Sequence, residues 1–155
     1  MIINANDGNK SLEIFSNIEP KYLKDKIILD LSLPLEFHAD MPSSVSLKDG
    51  KSLGERLQIL LSQSFVVKTL NTMPNSLMID PKGLGKAHHT FISGDSSEAK
   101  ERVLGLLGEF GWDRKSVIDL GGIVSARTSE LYANMIFDIA KAIGTYEFNI
   151  AIVKR

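Results

Sequence analysis

Residues 1–155 predict an α/β domain with a mostly parallel sheet and helices on its faces, and three observations carry that prediction. Short apolar runs with little alternation, of which Ile27-Ile28-Leu29-Asp30-Leu31-Ser32 is the clearest, have the pattern of parallel strands covered on both faces. Between them stand stretches with apolar residues at helical spacing, such as Leu53, Leu57, Leu60 and Leu61. Strand-like and helix-like stretches also alternate along nearly the whole chain, the order that a parallel sheet with crossover helices requires.

The first strand is predicted over 1–6 and opens into the turn Asp7-Gly8-Asn9. Leu12, Ile14, Phe15 and Ile18 give a helical spacing over 10–18, which Pro20 is expected to end. A second buried strand spans 27–32. Pro34, Pro42, Ser43, Ser44, Ser46 and Asp49-Gly50 then predict a surface excursion over 33–51 rather than an element, and loops of this length often carry function. Ser52 with Glu55 three residues on is a capping box, which opens a helix with Leu53, Leu57, Leu60 and Leu61 on one face. A third strand follows at 65–70 and a fourth at 90–93. Asp95 is the expected cap of a helix from about 97 to 110, with Ala99, Val103, Leu106, Leu107 and Phe110 inward. Residues 115–120 read as another strand. The longest helix, 125–143, carries Leu131, Met135, Ile136, Ile139, Ala140 and Ile143 as its apolar side and Gly144 as its C-terminal cap. A terminal strand is predicted at 148–153. No internal repeat or low-complexity segment is present.

Composition excludes several classes of function. Lys and Arg number 18 against 19 Asp and Glu, so a net charge of −1 offers no general attraction to nucleic acid or an anionic membrane. The chain has no cysteine, which removes disulfides, thiolate zinc sites and a cysteine nucleophile and fits a reducing cytoplasm. No apolar run approaches the roughly 20 residues of a membrane helix. The expectation is a cytoplasmic protein with neither a nucleic-acid nor a membrane partner. His88 and His89 are adjacent, and neighbours on a strand point to opposite faces, so they cannot chelate one metal; no metal site is expected. Gly83-Leu84-Gly85-Lys86 lacks the feeding strand and the following Ser or Thr of a phosphate loop, and reads as a turn. Arg127 and Glu130, three apart on the long helix, are expected to form an ion pair.

Four segments carry a family resemblance. IILDLSLPL at 27–35 is similar to a strand ending in Asp-Val-Thr-Asn-Pro, and VVKTLNT at 66–72 to Val-Val-Lys-Ala-Phe-Asn-Thr. SGDSSEAK at 93–100 is similar to Ala-Gly-Asp-Asp-x-x-Ala-Lys, and DLGGIVSARTSE at 119–130 to Asp-x-Gly-x-Leu-x-x-Ala-Arg-x-x-Glu. In order and spacing the chain resembles the NADP oxidoreductases dependent on coenzyme F-420, a deazaflavin, and the related cytoplasmic domain of membrane metalloreductases. The likeness begins near the family's fourth strand. The glycine-rich phosphate loop and the basic residues that select the NADP phosphate have no counterpart in the 155 residues. Leu33 stands where the family has Asn before Pro34, and Leu70 where it has an aromatic residue.

The resemblance implies a truncated Rossmann-like domain, with 1–72 a remnant of the second half of a dinucleotide-binding fold and 73–155 a C-terminal extension of the same sheet. It implies NADP as cofactor and a deazaflavin or flavin as hydride partner. Ligands of open α/β sheets bind beyond the C-terminal strand ends, and the candidate cofactor-binding residues are Asn6, Pro34, Asn71 and Thr72; no catalytic residue is assigned. Without the phosphate loop, weak or no activity alone is expected. The alternatives are a non-catalytic interaction module or one half of a split oxidoreductase. In the strand order 3-2-1-4-5-6 the first strand here would be an open edge, so a homodimer or a partner chain covering 1–6 is expected.

Overall fold

The computed structural model describes residues 1–39 and 42–155. The elements run β1 (Ile2–Asn4), α1 (Gly8–Ser16), α2 (Pro20–Leu23), β2 (Ile27–Asp30), β3 (Leu35–Glu36), β4 (Ser44–Val45), α3 (Leu53–Leu60) and β5 (Phe65–Thr69). They continue with α4 (Asn75–Ile79), β6 (Thr90–Ser93), α5 (Ser97–Glu109), β7 (Val117–Asp119) and α6 (Ala126–Ile143). A five-stranded sheet has the order β1-β2-β5-β6-β7. β1 with β2, β2 with β5, and β6 with β7 are parallel, whereas β5 and β6 are antiparallel. This is a mostly parallel, Rossmann-like sheet flanked by helices.

The unalternating apolar runs follow from burial on both faces. Ile28 and Val66 point into a cluster with Phe15, Leu23, Leu53, Leu57, Ile123 and Ala126. Their neighbours Leu29 and Val67 point the other way, against Ile92, Val103, Leu107, Leu77 and Trp112. Successive strand residues face opposite sides, so a strand between two helical layers must be apolar at every position. Each such buried aliphatic side chain contributes about 1.5–3 kcal/mol. β1 forms one edge of the sheet, with Met1 50% and Ile3 49% exposed.

Two of the expected helix ends form as the local sequence predicts. Ser52 Oγ accepts the Glu55 N–H at 3.1 Å and Glu55 Oε2 accepts the Ser52 N–H at 2.8 Å, the expected capping box. Gly144 ends α6 in the left-handed conformation at φ 76°. Other expectations are corrected. Pro20 does not end the first helix; α1 stops at Ser16, and Pro20 opens α2, where its missing N–H costs nothing. Ser96 Oγ, not Asp95, caps α5 by accepting the Ala99 N–H, because Asp95 Oδ1 is taken by the Ile123 N–H at 2.9 Å. The excursion at 33–51 contains the hairpin β3–β4, with Leu35 opposite Val45; its residues 40–41 lie outside the described residues.

The predicted strand at 148–153 does not form. The tail instead lies along the segment before β6, where the His89 N–H donates to Ile150 O at 2.9 Å and Asn149 Nδ2 donates to His89 O at 3.0 Å. On α6 the inward residues are Ala126, Ser129, Glu130, Ala133, Ile136 and Ala140, while Leu131, Met135 and Ile143 face outward. Leu60 on α3 is likewise exposed. No described helix is long and apolar enough to cross a membrane.

Candidate functional site

The C-terminal ends of β1, β2 and β5 enclose a charged cluster with no access to solvent. Lys68 Nζ, on β5, lies 2.9 Å from Asp30 Oδ2 on β2 and 3.0 Å from Glu130 Oε1 on α6, all three side chains fully buried. It also donates to Ser32 O. Burial opposes the ammonium, but the Asp30 and Glu130 carboxylates outweigh it, and Lys68 is held above the ordinary lysine range. Glu130 in turn accepts the N–H groups of Leu53 at 2.8 Å and Gly54 at 3.0 Å, the free donors at the start of α3. Asp30 Oδ1 accepts from Asn4 Nδ2 at 2.9 Å and from the Ser32 N–H at 3.2 Å. Every charge in the cluster therefore meets an opposite charge or a hydrogen-bond partner, the condition under which buried ions are tolerated.

The expected Arg127–Glu130 ion pair does not exist. Arg127 instead clamps Glu55, Nε to Oε2 at 2.8 Å and Nη2 to Oε1 at 2.6 Å, and Glu130 is turned inward to Lys68. Residues three apart on a helix point about 60° apart from alignment, and here each finds a better partner across the fold. The Arg127 hydrogen bonds, joined by those from Ser52, outweigh the cost of burial and lower the Glu55 pKa to about 2.

Beside this cluster lies a cavity of about 410 Å³, lined by Asn6, Asp7, Leu31, Ser32, Leu33, Leu35, Phe37, Asn71, Met73 and Met78. Volume does not single it out, since concavities of about 430 Å³ beside α6 and about 380 Å³ at the N-terminal strand ends are similar. Its place does: it is at the C-terminal strand ends, where open α/β sheets bind ligands, and it has the mostly apolar lining with a few polar groups usual in ligand sites.

Of the four sequence-predicted residues, Asn6 and Asn71 line the cavity. Asn71 follows Leu70, whose φ of 63° is unusual for a leucine and turns the chain sharply at the end of β5. Asn71 Nδ2 donates to Ser129 O at 2.9 Å, so it does not cap its own turn. Thr72 is buried beside it, and its Oγ1 has no hydrogen-bond partner. Pro34 is buried behind the cavity wall, where a Cβ on Gly8 would lie 2.5 Å from its nitrogen; the start of α1 can approach the 33–34 backbone only because residue 8 is glycine.

The chemistry of the other singled-out residues is structural. His88 is buried, with Nε2 2.6 Å from Pro81 O, and His89 Nδ1 accepts the Ile152 N–H at 3.1 Å. Among the described residues no three His, Cys, Asp or Glu side chains converge as metal ligands. Gly83 and Leu84 belong to a short 3-10 turn that Gly85 ends. Lys100 pairs with Asp119 at 2.8 Å, and the Gly94 N–H donates to Gly121 O at 3.0 Å, so the motifs at 93–100 and 119–130 lock two turns together.

Sequence reasoning did not pick out Phe37, Ser32 and Met78, nor the Asp30–Lys68–Glu130 cluster. A signal for the cluster was present: Asp30 and Lys68 are ionisable residues inside runs that are otherwise apolar on both faces. Phe37, in a polar loop, carried none.

The sheet, its crossover helices and the cavity at the strand ends define a Rossmann-like domain. No protein-family model matches the chain, and no curated protein does. Among solved structures it is similar to a "putative F-420 dependent NADP-reductase" from Arthrobacter sp. FB24, with a TM-score of 0.91 and 37% identity over 99% of this chain and 69% of that one. It is also similar to a hypothetical protein from Sinorhizobium meliloti, with a TM-score of 0.62 and 25% identity over 79% of this chain and 57% of that one. The chain belongs to the family of F-420-dependent NADP oxidoreductases.

Proposed function

We propose that the cavity at the C-terminal strand ends holds the redox ring of a hydride-transfer reaction between NADP and a deazaflavin or flavin. One observation carries the reading: the cavity combines an apolar lining with the side-chain amides of Asn6 and Asn71. A nicotinamide carboxamide or the dione edge of a deazaflavin offers donors and acceptors that match an amide, and the orphaned Thr72 Oγ1 nearby is a further group such a ligand could satisfy. The ring would supply the hydride chemistry, while Asn6, Asn71 and Thr72 bind and orient it and the leucine and methionine side chains exclude water.

The 155 residues contain no Gly-x-Gly-x-x-Gly turn, the element that lets a backbone approach a pyrophosphate. On this reading 1–72 corresponds to the second half of a dinucleotide-binding fold and 73–155 extends its sheet, the chain acts in the cytoplasm, and nucleotide binding by the chain alone is weak. A second reading rests on a different observation. β1 pairs on one side only and exposes Met1 and Ile3, which suits β-augmentation by a second copy or by the other chain of a split enzyme.

Titration with a deazaflavin and separately with NADPH, followed by thermal shift, tests the first reading. A ligand at 100 times its Kd stabilises the fold by about 2.7 kcal/mol. Saturable stabilisation by the deazaflavin with a smaller effect of NADPH is expected; no shift from either at millimolar concentration rejects ring binding. Sedimentation equilibrium tests the second reading, which a monomer at micromolar concentration with no bound partner would contradict.

A further inference from the structure

Phe37 is the most conspicuous residue of the cavity that neither motif nor capping chemistry explains. It is 78% exposed, yet it lines a space whose other walls are Leu31, Leu33, Leu35, Met73 and Met78. A lone exposed aromatic on an ordinary surface needs no explanation. This one stands at the mouth of an apolar cavity, on a hairpin that is tied down at both strands. Asn9 Nδ2 donates to Leu35 O at 2.8 Å on β3. On β4, Asn134 of α6 grips the backbone of Val45 at two points, Oδ1 accepting its N–H at 2.7 Å and Nδ2 donating to its carbonyl at 3.0 Å. An amide side chain used in this way replaces a neighbouring strand's peptide group and fixes the hairpin against the long helix.

We infer that Phe37 is a stacking platform for the flat redox ring and that Asn134 is the positioning residue that holds the platform in place. The inference rests on the ring-binding reading above and adds to it the residues that clamp the ring's face. Aromatic faces prefer offset stacking against other rings, and a side chain already exposed gives up no internal contact to make one. A short hairpin anchored by two amides supplies the preorganisation that makes such a contact effective.

The experiment uses riboflavin and its 5-deaza analogue as probes, with the full chain and its variants Phe37→Ala, Phe37→Trp, Asn134→Ala and the double variant Phe37→Ala/Asn134→Ala. Affinity is expected to fall about fivefold to tenfold in Phe37→Ala. In Phe37→Trp it is expected to persist, with quenching of the bound ring's fluorescence, a signature that a merely structural residue would not produce. Asn134→Ala is expected to weaken binding, and the double variant to bind no more weakly than Phe37→Ala, since the clamp acts through the platform. If the wild type binds the rings and Phe37→Ala binds them equally well with no quenching in Phe37→Trp, the platform is wrong while the ring-binding reading stands. If the wild type binds neither ring at millimolar concentration, both fall. Additive losses in the double variant would overturn the role of Asn134.

Discussion

Two regions meet at the C-terminal ends of the strands, and they are built on opposite terms. Beneath, Asp30, Lys68 and Glu130 are fully buried and closed by Asn4, Ser32 and the first N–H groups of α3. Above, the cavity has an apolar wall, two amides and the exposed ring of Phe37, with the Thr72 hydroxyl left unpartnered close by. The lower region is closed to solvent; the upper one is open, and the one unpartnered side chain beside it among the described residues is the buried Thr72 hydroxyl. The two touch through Ser32, whose carbonyl takes the Lys68 ammonium and whose side chain donates to Asn4 O at 3.0 Å while the residue lines the cavity. A saturated charged cluster thus underlies a cavity whose two amides are each tied to the fold by one bond from Nδ2, Asn6 to Asn4 Oδ1 at 3.1 Å and Asn71 to Ser129 O at 2.9 Å.

The largest effect that would sharpen this contrast is expected for Lys68→Met. It leaves two carboxylates buried without their cation, and chemical denaturation should show a loss of about 3–5 kcal/mol or no cooperative transition. A loss under 1 kcal/mol would mean that the cluster is not the foundation it resembles. Next comes Arg127→Ala, expected to lower the melting temperature near neutral pH by less than Lys68→Met does, because the arginine side chain is 42% exposed and solvent screens its pairing with Glu55. The sign follows from the depressed carboxyl. Glu55 contributes stability above its unfolded value of about 4.5 and loses it as pH falls through about 2 in the folded chain. Thermal melts between pH 5 and pH 2 should therefore show an acid-dependent loss that is smaller in Arg127→Ala than in the wild type.

Ser96→Ala removes the cap of α5 and should cost about 1 kcal/mol by urea denaturation, whereas Asp95→Ala should act through the Ile123 turn and leave the cap intact. The smallest effect on stability belongs to Phe37→Ala, within about 0.5 kcal/mol of the wild type, because the ring has no buried contact to lose. A large destabilisation by this variant would break the comparison, since Phe37 would then belong to the foundation and not to the rim.

The sequence by itself determined the features that depend on neighbours within a few residues. The capping box of Ser52 and Glu55, the glycine stop at Gly144 and the unalternating strands at β2 and β5 were legible because spacing of three, or burial on both faces, writes them directly into the order of residues. Family membership was legible too, as were Asn6 and Asn71 at the strand ends. Tertiary structure alone decided which charges meet. Arg127 reaches Glu55 across 72 positions of sequence rather than Glu130 across three, Asp95 serves the Ile123 turn and not its own helix, and the tail bonds to His89 instead of adding a strand. The reason is physical: a helix or a cap is settled by local hydrogen bonds, but a long side chain chooses among all the partners that the packed sheet brings within reach, and their positions exist only once the strands have been ordered.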